Sequence, residues 1–453
     1  MYYGFDYDAA IRWFEQDAQR DGTSALPLWG IALALGPNLN DRPMEERMGK
    51  ASAALAKARA LADRASGRTR DLIDALGARY TSAAAFDLDA LNRAYAERME
   101  ELAAKYPADD DIAVLYAESL ILAEPPADDH AHGVVSEAAL AVVEKVVARN
   151  PRHLGATHYH IHLLESVDFL RALPSARRLD DLRPEAGHLL HMPSHIYMRL
   201  GDYHAAVRSN QRAVAADRAA AKATGQFPAM GYHTREFLAA AAGMTGQGGV
   251  ARDADDNPFV QLRFNRWPDV LKRPQPKGTI SALEWHVARV LSLVGLGRVD
   301  DASAARRAYD KFEATIPKDE RWWADPVGKF LPMVRHEMDA RLAWASGRRD
   351  EAIAHWTRGV AAQDGLMRLE SIMPWFHSLR ESLGAALLLS GRARDAEQTF
   401  RDDLRAHPGS GRSLFGLWKA LAAQGRSSQA RAIERQFIEA WKNADAPLAL
   451  EEL

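Results

Sequence analysis

Apolar and polar positions along this chain fall into one recurring register. A glycine is followed five positions later by an alanine in RLGDYHAAVRSNQRAV, GLGRVDDASAARRAY, ASGRRDEAIAHWTRG, LSGRARDAEQTFRDD and AQGRSSQARAIERQF. The glycines are Gly201, Gly297, Gly347, Gly391 and Gly425, and the alanines are Ala206, Ala302, Ala352, Ala396 and Ala430. Around them apolar residues recur at i, i+3, i+4 and i+7, the spacing of an amphipathic helix. Glycine closes a helix because it takes the left-handed conformation without a Cβ clash. A small alanine on the next helix lets the two backbones lie close. The pattern therefore predicts helical hairpins. β-branched residues are sparse, and Ala, Leu, Arg and Glu dominate. The expected fold class is all-α, with about sixteen helices read from periodicity and breakers.

The last two glycines are 34 residues apart, the tetratricopeptide period. The preceding spacings, 44 and 50, imply longer helices or loops. The architecture expected is a tetratricopeptide-like helical-hairpin solenoid. Two stretches interrupt it: the polar loop PNLNDRPME (37–45), and residues 245–278, rich in Gly, Pro and Asp. Unstructured stretches of that length are usually functional or disordered. The second one divides the chain into an N-terminal array (1–244), a long loop (245–278) that is a candidate lid, and C-terminal repeats (279–453). A repeat array by itself binds: its concave surface suits a peptide or protein partner.

Composition narrows the chemistry. The chain has 453 residues, 47% hydrophobic and 26% charged, with 58 Lys+Arg against 61 Asp+Glu and a net charge of -3. That balance supplies no global field for nucleic acid or for an anionic membrane. There is no cysteine, which excludes disulfides, thiolate metal sites and cysteine nucleophiles. The opening MYYGFDYDAA has neither the basic nor the apolar region of a signal peptide, and no apolar run reaches the ~18 residues of a membrane span. The expectation is a cytoplasmic protein.

Histidine is where the sequence is unusual. Of 16 histidines, nine lie between positions 153 and 233: His153, His158, His160, His162, His188, His191, His195, His204 and His233. Imidazole is the commonest metal ligand and the usual acid–base group. In ATHYHIHLLES, His158, His162 and Glu165 fall within roughly 60° on one helix face, while His160 points away. In GHLLHMPSHIYMR, His188, His191 and His195 are spaced i, i+3, i+7. Pro193 interrupts that helix, since it lacks an N–H and clashes in a helix interior. Either a helix starts near Met192 or it is kinked there. Ser194 reads as an N-cap. His233 opens another helix with Glu236 three residues on, and His286, with Arg289 nearby, opens the helix after the long loop. If successive hairpins stack, the helices around 158, 191 and 233 bring their imidazoles together. A single helical histidine is ordinarily a surface or hydrogen-bonded core residue; two such motifs on consecutive hairpins argue for a site.

Other catalytic signatures are absent: there is no G-x-G-x-x-G after a strand, no phosphate loop, no H-E-x-x-H and no G-x-S-x-G. The segments HYHIHLLE, AGHLLHMPSHIYMRLGDYHAAVRSNQRAVAAD, PWFHSLRESLGAALLLSG and FRDDLRAHPGSGRSLFGLWKAL resemble a bacterial family of tetratricopeptide-repeat proteins of about this length, as does the opening ALPLWGIALALGPNLN. The resemblance covers nearly the whole chain and implies an all-helical repeat array. It carries His158, His162, Glu165, His188, His191, His195 and Asn210 at matching positions. The family's P-H-N-x-H-F segment is Y-H-T-R-E-F here, so His233 matches while Thr234 and Glu236 depart. It also points to Trp375, Arg380 and Glu381 as a second wall of the pocket.

The resulting expectation is a metalloenzyme. His158, His162, His191, His195 and His233 would ligate a divalent transition metal, copper, iron or zinc. Glu165, His188 and Glu236 would serve catalysis, and Asn210, His286, Arg289, Trp375 and Arg380 would line a substrate pocket. The reaction would be oxidation, ahead of hydrolysis, of a small molecule. The alternative is a non-enzymatic scaffold for a peptide or protein. No nucleic acid, membrane or separate organic cofactor is expected, and a homodimer is an open option.

Overall fold

The computed structural model describes the chain except residues 40–44, 82–85, 125–135, 229, 323–324 and 367–374. The regular structure among the described residues is helical apart from one two-stranded antiparallel ribbon, Arg321–Trp322 against Asp325–Pro326. Part of the polar 37–45 stretch, residues 40–44, lies outside the described residues. Among the described residues no helix is long and apolar enough to cross a membrane.

The chain divides into two compact units, Met1–Ile196 with Gln211–Thr234, and Tyr197–Asn210 with Arg235–Leu453. In the first, Tyr7–Arg20 pairs with Leu26–Leu35, Leu88–Lys105 with Asp110–Ala123, and Leu154–Leu164 with Phe169–Leu182. Its core is built from Trp29, Leu33, Leu72, Ile73, Tyr95, Met99 and Ile112. Side chains of Asp6, Ser66, Asp87, Asp109, Ser136 and Asp168 accept the otherwise unpaired N–H groups at helix starts. In the second unit the hairpins are Thr279–Gly295 with Val299–Glu313, Leu331–Ala345 with Arg349–Asp364, Leu379–Leu389 with Ala393–Ala406, and Gly411–Ala423 with Ser427–Ala440.

The glycine–alanine register does what its chemistry requires. Gly201, Gly297, Gly347, Gly391 and Gly425 all have φ between 70° and 78°. In each turn the following N–H bonds to a carbonyl five residues back, as Arg392 does to Leu387 at 2.9 Å, the Schellman closure. The five alanines are buried. The fold class is thus all-α, of the tetratricopeptide-like helical-hairpin kind.

The 245–278 stretch differs from expectation. It carries three short helices, Gly248–Ala254, Pro258–Arg263 and Trp267–Leu271, rather than a loop. Its beginning is a sixth copy of the turn: Gly246 has φ 74°, Gln247 bonds back to Ala242, and Ala251, five residues on, is fully buried. Two further glycines beside the turn, Gly248 and Gly249, hid the register. Asn257 and the proline after it start the second helix, with the Asn257 side chain accepting from Phe259.

Candidate metal centre

Four helical segments deliver the six imidazoles, whose residues all fall in the first unit. Leu154–Leu164 carries His158 and His162 one turn apart, and Glu165 is its C-cap. Gly187–His191 carries His188 and His191, and ends where Pro193 cannot continue it. A second helix, Pro193–Leu200, starts there and carries His195. His233 stands near the start of Gly231–Met244.

The histidines converge, but on two centres rather than one. His158, His162 and His188 form one trio and His191, His195 and His233 another, each with ligand atoms within 4.8 Å of one another. His188 and His191, three residues apart on one short helix, go to different trios. His188, expected as a catalytic group, therefore stands among the potential ligands.

The hydrogen bonds fix which nitrogen faces the centre. His158 Nδ1 lies 2.6 Å from the Tyr3 carbonyl oxygen, which only accepts, so Nδ1 carries the proton and Nε2 keeps its lone pair. That Nε2 is 3.1 Å from His188 Nε2. In the second trio His191 Nε2 and His195 Nε2 are 2.9 Å apart. Donors around a tetrahedral ion at zinc–imidazole distances stand about 3.3 Å apart, so both pairs are already near that spacing. His162 Nδ1 donates to Glu165 Oε1 at 3.0 Å. His195 Nδ1 lies 2.5 Å from Glu165 Oε2, an ion-pair contact outside hydrogen-bond geometry in which two facing lone pairs would repel, so this Nδ1 too carries the proton. His162 Nε2 is left buried with no hydrogen-bond partner, as is His188 Nδ1. Buried nitrogens in that state cost about 1–3 kcal/mol each, a cost that ligation of His162 Nε2 would remove. Ser194, read as an N-cap, is buried with its hydroxyl 3.3 Å from His191 Nδ1.

Electrostatics point the same way. Burial holds His158 and His188 well below the usual imidazole range, and neighbouring histidines add to the effect. Burial, then His195, brings His233 down to about 3. Burial pushes Glu165 up, but the imidazoles of His195 and His162 outweigh it and hold the carboxyl well below its ordinary value. Three of the six imidazoles, His158, His188 and His233, are thus held towards the neutral form that metal binding requires, beside an ionised Glu165.

The sequence reading missed the lid on the first trio. Phe5 is 5% exposed, and its ring lies 4.5, 5.5 and 5.1 Å from those of His158, His162 and His188. It adopts a left-handed backbone, φ 55° and ψ 17°, uncommon for a bulky residue. The aromatic run MYYGF was the available signal.

Other histidines are accounted for locally. His153 caps its own helix, its Nδ1 accepting from Ala156, with Nε2 beside Asp111. His160, on the opposite face, meets Ser175 and Glu144. The remaining expected site residues, Asn210, Glu236, His286, Arg289, Trp375 and Arg380, belong to the second unit. Asn210 donates to the Ala206 carbonyl, His286 stacks on Phe312, and the Arg289 guanidinium lies over Trp285. Trp375 packs on Phe259 in an aromatic core, and Arg380 makes two 2.6 Å bonds to Asp364. Glu381 holds Arg263 in a buried ion pair. Glu236 is half-buried on its helix. Packing and ion pairing account for Trp375, Arg380 and Glu381, the residues expected to wall a pocket.

No protein-family profile matches the chain, and no curated protein does. Among solved structures it is similar to human IFIT1 with PPP-AAAA, at 13% identity over 91% of this chain and 90% of that one, TM-score 0.33. It is also similar to yeast Tom70, at 11% identity over 96% and 89%, TM-score 0.29. Likenesses at that level carry nothing about activity, so the function is argued from the imidazoles alone.

Proposed function

We propose that this chain is a metal-binding helical-repeat protein that acts as a metal-dependent enzyme on a small molecule, by oxidation or hydrolysis. The observation that carries the reading is the two trios, six imidazoles from four helical segments with donor atoms within 4.8 Å in each group. Imidazole donors suit copper, iron or zinc. Three protein ligands leave a position open on an ion, where a metal binds dioxygen or lowers the pKa of water. The protein's part is to keep His158, His188 and His233 neutral by burial, to fix tautomers through the Tyr3 carbonyl and Glu165, and to shield the first trio with Phe5.

Metal analysis of protein made in medium supplemented with copper, iron and zinc tests this. The expected result is stoichiometric metal, a melting temperature that falls with chelator, and a lower metal content in His191→Ala. Absence of metal together with a melting temperature indifferent to chelator would refute it. The helical hairpins would then be read as a surface for a peptide or protein partner.

A further inference from the structure

Glu165 touches both trios. One oxygen accepts from His162 of the first trio and the other meets His195 of the second, each through Nδ1. A carboxylate on the far nitrogen of an imidazole fixes ring and tautomer and raises ligand basicity. One residue therefore sets the ligand state in two places. The two groups are also distinct: among the described residues, the donor atoms that meet a 4.8 Å limit fall into two separate trios. Six nitrogens grouped as two trios suit two ions rather than one.

We propose that the pocket is a dinuclear centre: each trio binds one late first-row transition-metal ion through its three imidazoles, and Glu165 links the pair by keeping the Nε2 atoms of His162 and His195 in the lone-pair form that ligates. This rests on the metal-binding reading above and adds the number of ions and the role of Glu165. An open position on each ion would take an oxygen-bearing ligand, water or dioxygen included. Glu165 is a positioning residue here. Its carboxylate only accepts, so both imidazoles must present N–H to it. A glutamine side chain in its place would present one acceptor and one donor, so one of the two rings must change tautomer and lose its Nε2 lone pair.

The test uses the full chain, stripped with chelator and titrated with Zn(II) against a chromophoric competitor, with bound zinc counted after desalting. The wild-type chain is expected to bind two ions. His162→Ala and His233→Ala, at half-buried positions in different trios, should each bind one. Glu165→Gln should weaken both ions about 10- to 100-fold. Nitrogen NMR of the metal-free Glu165→Gln protein should show one of His162 and His195 switched to the Nε2–H form, with Glu165→Asp restoring the native tautomers. One zinc per wild-type chain, lost in either histidine variant, would overturn the dinuclear centre and leave the metal-binding reading standing. No binding of Zn(II), and none of Cu(II) offered the same way, would remove both. Affinities and tautomers unchanged in Glu165→Gln would remove the link.

Discussion

Truncating Phe5 separates two energies that the structure places on one residue. Its ring is buried against three imidazoles and stacks on Tyr7 at 5.9 Å, so Phe5→Ala should cost about 3–5 kcal/mol, the usual loss for a buried phenylalanine. Its backbone is left-handed at φ 55°, which costs an L-residue roughly 1–2 kcal/mol. Alanine at this position keeps that cost and glycine does not. Elsewhere glycine is the worse choice by about 0.5–1 kcal/mol, through the freedom it adds to the unfolded chain. The two terms nearly offset, so Phe5→Gly should be at least as stable as Phe5→Ala, the reverse of the order found in a helix. Urea unfolding of the metal-free proteins, followed by circular dichroism, measures both differences. An alanine variant within about 1 kcal/mol of wild type would show that the ring does not seal a packed pocket. A glycine variant clearly less stable than the alanine one would refute the backbone argument.

Acid should destabilise the metal-free protein earlier than an ordinary carboxylate-driven transition. His158, His188 and His233 sit below their ordinary 6.5 when folded. The unfolded chain therefore binds more protons, and their contribution is complete above about pH 6.5 and lost as pH falls towards 3. Melting temperature against pH, with a flat profile from 7 to 5 as the contrary result, checks it. Glu381→Ala leaves Arg263, 6% exposed, without its carboxylate; a loss of about 3–5 kcal/mol is expected by denaturant titration. Gly391→Ala should cost only about 1–2 kcal/mol, because a Cβ at that turn meets nothing within 4 Å; a larger loss in melting experiments would mean a clash.

The helices and their turns were legible in the residues themselves. A glycine with an alanine five residues later specifies a left-handed closure and a close approach, both local requirements, and five such turns form as their residues dictate. His158 and His162 were likewise placed on one face, since the helical repeat alone fixes residues four apart. Partnership between helices was not legible. His188 and His191 are three residues apart and end in different trios, and His233 joins His191 from 42 positions away. Which trio an imidazole enters depends on the separation and rotation of packed helices, set by many distant side chains at once. Phe5 over the first trio and the two-sided grip of Glu165 were decided at that same level, because contacts of that kind have no periodicity for a single chain to display.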